Sequence, residues 1–112
     1  MLINDSSADV NGDGELNTKD VLSILPDRKP DSHKGDYGKI LLLCGSRGFT
    51  GAAYLAAMGA LRTGAGLTFL GVPESIWAVE AAKCVSAMPF PLPEKDNMLS
   101  LKALQKVKER LN

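Results

Sequence analysis

Residues 39–73 read KILLLCGSRGFTGAAYLAAMGALRTGAGLTFLGVP, and three elements are legible in them. The continuous apolar run Lys39 to Cys44 has the character of a strand covered on both faces. From Thr50 to Thr63 the pattern is helical, and Gly64 is placed to take the left-handed position beyond the helix end. Leu67 to Val72 is a second apolar run. A strand, a crossover helix of this length and a second strand predict a parallel pair.

The alternation continues on the C-terminal side. Pro73 can open a helix that runs to about Lys83. Val85 to Pro89 reads as a third, weaker strand, and Pro89, Pro91 and Pro93 predict an extended loop. Ser100 is positioned to cap a last helix with Leu101, Leu104, Val107 and Leu111 on one face. On the N-terminal side, a short helix is expected from Thr18 to Leu25, capped by Asn17 or Thr18 and followed by Pro26. Residues 26–38, PDRKPDSHKGDYG, have no periodicity and read as an extended loop. The expected fold class is α/β, a βαβαβα unit with a mainly parallel sheet, preceded by a polar segment. Three parallel strands leave an edge open, which self-association or further chain would cover.

The 112 residues are 45% hydrophobic and 23% charged, with 13 basic and 13 acidic residues and a net charge of +0. That composition suits one globular domain. The charge balance argues against an electrostatic nucleic-acid or membrane binder, and the few aromatic residues follow no basic stripe. No run is long enough to span a membrane, and MLINDSSADV lacks the pattern of a signal peptide. Cys44 and Cys84 form no metal-ligand spacing with His33 and read as reduced thiols. These features together predict a cytoplasmic protein.

The turn between the first strand and its helix, Gly45 to Ala53, matches neither common phosphate-binding template. No lysine follows for a Walker loop, and the glycines are spaced GxxGxxG, not GxGxxG. Its position still matters. Ligands of open α/β sheets bind at the carboxyl ends of the strands, and free amides at a helix start favour phosphate or polar oxygen. Tight packing and ligand contact both account for the glycines. Packing accounts for the alanines on the buried face.

SHKGDYG at 32–38, the GSxGxTGAA pattern at 45–53 and ALRTGAGL at 60–67 together resemble the N-terminal part of the ADP/ATP-dependent NAD(P)H-hydrate dehydratases, a ribokinase-like family. The resemblance covers about residues 18–112. It implies a truncated ribokinase-like unit and a metabolite-repair reaction. NADH or NADPH that has gained water is restored at the expense of ADP or ATP with Mg2+, the nucleotide making the hydroxyl a better leaving group. Carried onto this sequence, the substrate-binding residues are Ala52, Gly51, Gly45 and Ser46. His33 and Lys34 match a structural or site-lining loop, and His33 is not expected to be a catalytic base. The family's GxGD motif, whose aspartate is its expected base, does not occur in these 112 residues. The chain by itself is therefore expected not to turn over substrate.

A second pattern lies in DVNGDGELNTKD, residues 9–20. Asp9, Asn11 and Asp13 fill positions one, three and five of a calcium loop, with Gly14 at the sharp turn. Glu15, Asn17 and Asp20 fill positions seven, nine and twelve. The loop resembles one half of a dockerin repeat, whereas residues 1–17 read equally as a polar linker before a helix cap. Three readings follow: a partial dehydratase-family member, a calcium-dependent interaction module, and a generic nucleotide-binding α/β domain. The open sheet edge and amphipathic last helix also predict a homo-oligomer.

Overall fold

The computed structural model describes residues 12–25 and 27–112. The chain divides into two compact units, residues 1–32 and 33–112.

In the first unit, helix α1 spans Thr18–Ile24. Asn17 is its N-cap, as the sequence indicates. The Asn17 side chain accepts from the Asp20 amide at 3.0 Å, and the Asp20 carboxylate accepts from the Asn17 amide at 2.9 Å. This reciprocal capping box satisfies two of the helix's orphan donors.

The second unit is α/β. Strand β1 (Lys39–Leu43) leads through helix α2 (Thr50–Thr63) to β2 (Leu67–Pro73). A short 3-10 turn (Glu74–Ile76) and helix α3 (Trp77–Lys83) then lead to β3 (Met88–Leu92). A hairpin of β4 (Glu94–Lys95) and β5 (Met98–Leu99) precedes helix α4 (Ala103–Leu111). The first three strands form a parallel sheet in the order β1-β2-β3. Gly64 ends α2 with φ +117°, the left-handed cap read from the sequence.

Helices cover both faces of the sheet. Ala53 and Ala57 of α2 pack with Leu70, Val72, Ile76 and Ala87 on one face. Ala103 and Val107 of α4 pack with Phe90 and Leu92 on the other, beside Leu41 and Phe69. Each fully buried leucine here contributes about 1.5–3 kcal/mol by leaving water. Arg110 lies over the Phe90 ring at 3.9 Å and the Phe69 ring at 5.6 Å, so its cation completes the second layer. Gly71 permits this layering: a Cβ there would meet Leu92 at 2.7 Å and Leu43 at 2.8 Å.

Several expectations are corrected. The third strand is Met88–Leu92, not Val85 to Pro89, and it contains two of the prolines expected to form a loop. Their spacing explains this. Bonds from the Leu67 amide to Gly38 O and from the Cys44 amide to Gly71 O set which backbone groups of β1 face β2. Carried across the sheet in register, the parallel alternation turns Met88, Phe90 and Leu92 toward β2. It turns Pro89, Pro91 and Pro93 outward, where no ladder donor is needed. The outward Pro89 carbonyl accepts from the Trp77 indole at 3.1 Å, and the Pro93 carbonyl accepts from the amide and hydroxyl of Ser100.

β1 is an edge strand, and Ile40 and Leu43 are exposed, so it is not covered on both faces within this unit. Ser100 turns back to Pro93 instead of capping α4 with its side chain. Leu101, Leu104 and Leu111 of the apolar face are exposed, the uncovered apolar surface expected of the last helix, while Val107 and Ala103 are buried. Finally, the 26–38 loop holds a 3-10 turn at Lys34–Tyr37.

That turn packs against the end of α2. The Gly66 amide donates to Tyr37 O, and the Leu67 amide to Gly38 O at 3.0 Å. A Cβ on Gly66 would overlap the Lys34 carbonyl. Gly66→Ala is therefore expected to destabilise the unit by about 1–3 kcal/mol, the usual cost of overpacking, read as a lower urea midpoint at unchanged slope.

Candidate functional site

The carboxyl end of β1 carries a turn built by its glycines. Gly45 leaves the strand with φ +96°, and a Cβ there would come within 2.9 Å of Ile76 and 3.3 Å of the Ala53 methyl. Only glycine supplies both the conformation and the clearance. The Phe49 amide donates to Ser46 O at 3.0 Å, and Gly48 has φ +87° at the third position, as a type II turn requires. The Arg47 amide donates to Asn97 O at 3.0 Å, so the β4–β5 hairpin tip braces the turn.

Gly51 differs from the other two. Its φ is not positive, and beyond its chain neighbours and its own helix backbone no atom lies within 4 Å of its Cβ position. Neither backbone strain nor packing demands a glycine there, and both Gly51 and Ala52 are exposed. The start of α2 has no side-chain cap and no acidic residue in its first turn. Its leading amides therefore face outward beside an unfilled space. The Lys83 ammonium donates to the Thr50 hydroxyl at 2.8 Å at this helix start. An uncapped helix N-terminus with a lysine on it attracts anions.

Next to this cation is a buried acid. Glu80 is fully buried, and neither carboxyl oxygen has a hydrogen-bond partner among the described residues. Burial pushes its carboxyl above the ordinary 4.5, with Lys83 pulling the other way. Burial disfavours the charged form relative to water. Cys44, one residue before Gly45, and Cys84 are free thiols. Burial, and then Glu80, push both upward, so neither is an activated thiolate.

The predicted substrate residues Gly45, Ser46, Gly51 and Ala52 thus come together on one turn. His33 and Lys34 do not join them. They precede β1, whereas the turn follows it, and five strand residues span about 17 Å at 3.3 Å each. His33 is the N-cap of the 3-10 turn. Its Nδ1 accepts from the Gly35 amide at 3.2 Å, its amide donates to Asp36, and its Nε2 lies 3.3 Å from Asp36 Oδ1.

Of the calcium-loop residues, Asp9 and Asn11 lie outside the described residues. Asp13 accepts from the Glu15 amide at 3.0 Å, and Asn17 and Asp20 form the α1 capping box. Gly12 and Gly14 have φ +69° and +80°. No group of three or more His, Cys, Asp or Glu residues able to hold a metal occurs among the described residues. No described helix is long and apolar enough to cross a membrane.

Lys83, Ile76 and Asn97 complete the site but were not read from the sequence. Asn97 had a local signal: Asp96 and Asn97 have φ +52° and +66°, the left-handed pair of a two-residue hairpin. Lys83 had none, since 33 residues separate it from Thr50.

An α/β unit with a glycine turn opening an uncapped helix at a strand's carboxyl end has the geometry at which open sheets bind ligands. Comparison with known proteins gives the family. The NAD(P)H-hydrate dehydratase profile matches residues 40–108, which include the turn, Glu80 and Lys83. The bifunctional NAD(P)H-hydrate repair enzyme Nnr of Moorella thermoacetica is 44% identical over 90 residues, 80% of this chain and 17% of that protein. The ADP-dependent (S)-NAD(P)H-hydrate dehydratase of Bacillus subtilis is 48% identical over 56 residues, 50% of this chain and 20% of that one. Its counterpart in Lactiplantibacillus plantarum is 35% identical over 88 residues, 79% and 32% respectively. The chain belongs to the NAD(P)H-hydrate dehydratase family. It spans a third or less of the length of these relatives.

Because burial raises the Glu80 carboxyl, its stabilising contribution is complete below pH 4.5 and is lost as pH rises through the higher folded value. Glu80→Gln is expected to remove this decline. Urea midpoints collected from acid to neutral pH should fall with pH in the wild type and fall less in the variant.

Proposed function

We propose that this chain supplies part of the substrate site of an NAD(P)H-hydrate dehydratase, with the turn Gly45–Ala52 holding hydrated NADH or NADPH. One observation carries this reading: the open space over Gly51 and Ala52 at the uncapped, lysine-bearing start of α2. A hydrated dinucleotide is anionic, and outward amides suit its polar oxygens without requiring a Walker lysine. In the full reaction, phosphoryl transfer from ADP or ATP with Mg2+ turns the substrate hydroxyl into a phosphate ester. Loss of that phosphate and of a ring proton restores the nicotinamide double bond. Within that reaction the turn would bind and orient substrate. The macromolecular partner in this reading is a second copy of the chain.

Ala52→Asp tests the site without disturbing the fold. Ala52 is exposed on the first turn of α2, where a carboxylate favours the helix dipole but repels an anionic ligand. Calorimetric titration with hydrated NADPH should show binding by the wild-type chain and a roughly tenfold or greater loss in the variant, at an unchanged or higher melting temperature. Equal affinity in both proteins would remove the turn from the site. With ADP or ATP and Mg2+ added, the chain alone should restore no NADPH by absorbance.

A second reading concerns residues 9–20, where the left-handed Gly12 and Gly14 favour a calcium loop formed by Asp9, Asn11, Asp13, Glu15, Asn17 and Asp20. Asp13→Ala should abolish a calcium-dependent rise in melting temperature; an unaltered calcium response eliminates this loop.

A further inference from the structure

Glu80 is fully buried, and neither of its carboxyl oxygens has a hydrogen-bond partner among the described residues. These residues by themselves cover it completely. Buried carboxyls are normally paired or hydrogen-bonded. Asp20, the other buried acid, obeys that rule in the capping box of α1. An orphaned acid lowers stability, a cost that a function can offset. Lys83 stands one turn further along α3, an (i, i+3) neighbour on the helix surface. Its ammonium makes no bond to Glu80 and donates instead to the Thr50 hydroxyl at the uncapped start of α2. One cation thus faces both a buried acid and the open space over Gly51 and Ala52.

We propose that Glu80 is a positioning residue of the substrate site, whose charge sets how much of the Lys83 ammonium is available to an anion at the start of α2. This rests on the substrate reading above. With Glu80 ionised, part of the Lys83 field is spent on a buried carboxylate that has no other partner. With Glu80 protonated, the whole field acts on the ligand. Linkage makes the effect reciprocal. An anion at Thr50, Gly51 and Ala52 draws on Lys83 and raises the cost of an ionised Glu80, so binding takes up a proton. Burial raises Glu80 above its ordinary 4.5, against the pull of Lys83. Affinity is therefore highest in acid and falls as pH rises through that higher folded value. Besides Lys83, the titratable groups that bear on Glu80 among the described residues are Cys44 and Cys84, both pushed above 9.0 and neutral over this range. From α2 the inward residues are Ala53 and Ala57, and β2 and β3 carry no titratable side chain.

The test is calorimetric titration of the full chain with hydrated NADH from acid to neutral pH. This ligand lacks the titrating 2′-phosphate of hydrated NADPH, so its own charge stays constant. The wild type should bind about fivefold more weakly at neutral than at acid pH. Its binding heat should also differ between buffers of unlike ionisation enthalpy, with the sign of proton uptake. Glu80→Gln should keep the acid affinity at every pH and lose the buffer dependence. Glu80→Met, uncharged and apolar, should do the same and serves if the amide variant does not fold. Wild-type binding indifferent to pH and buffer overturns the role of Glu80 and leaves the turn as the site. A pH dependence retained in both variants overturns that role as well. Absence of wild-type binding at every pH overturns the substrate reading, and the role of Glu80 with it.

Discussion

The hydrogen-bonding alternation of the central strand β2 governs the second unit. A parallel strand directs both backbone groups of every second residue to the same neighbour. With β2 between β1 and β3, that rule assigns each residue of the outer strands an inward or outward direction. It places Pro89, Pro91 and Pro93 where a missing amide costs nothing, and it leaves Lys39, Leu41 and Leu43 unpaired. The same alternation divides the side chains. Leu70 and Val72 face α2 and Ile76, and Phe69 lies on the side of α4, so one strand serves two cores.

The site follows from this arrangement because β1 delivers its turn to the carboxyl end of the sheet, beside the end of β2. Gly45 and Gly48 satisfy the geometry of the turn, and Ala53 and Ala57 bring α2 close to the sheet. What remains is the open surface at Gly51 and Ala52, with the amides of α2 and the Lys83 ammonium around it. Glu80 lies one helical turn from Lys83, and its burial raises its carboxyl above the ordinary value while Lys83 pulls the other way.

The three motifs that carry the family resemblance divide between two ends of the unit. SHKGDYG and RTGAGL lie at the amino end of the sheet, where the 3-10 turn fits against Gly66 so closely that no side chain can stand between them. Their co-occurrence has a packing cause. His33 belongs to this group, with its ring and amide spent on Gly35 and Asp36. Only the turn at 45–53 lies at the carboxyl end of the sheet.

Local signals in the sequence determined a good deal. Asn17 as a cap, the bounds Thr50 to Thr63, Gly64 beyond them, the βαβαβα order and the grouping of Gly45, Ser46, Gly51 and Ala52 are set by residues within one turn or one strand. Their physical causes are short-range: capping, φ preference and apolar run length. What was misread depends on neighbours distant in the chain. Proline spacing at 89–93 signals a strand only once β2 lies on the other side, and Ala103 joins the core because its stripe of α4 meets Phe90 and Leu92. Lys83 reaches Thr50, and Asn97 reaches Arg47, through the packing of separate elements, which no local pattern encodes. The sequence by itself determined the elements and the turn. The tertiary structure decided which edge stays open, which glycine leaves space and which cation faces it, because each is a relation between segments brought together only by folding.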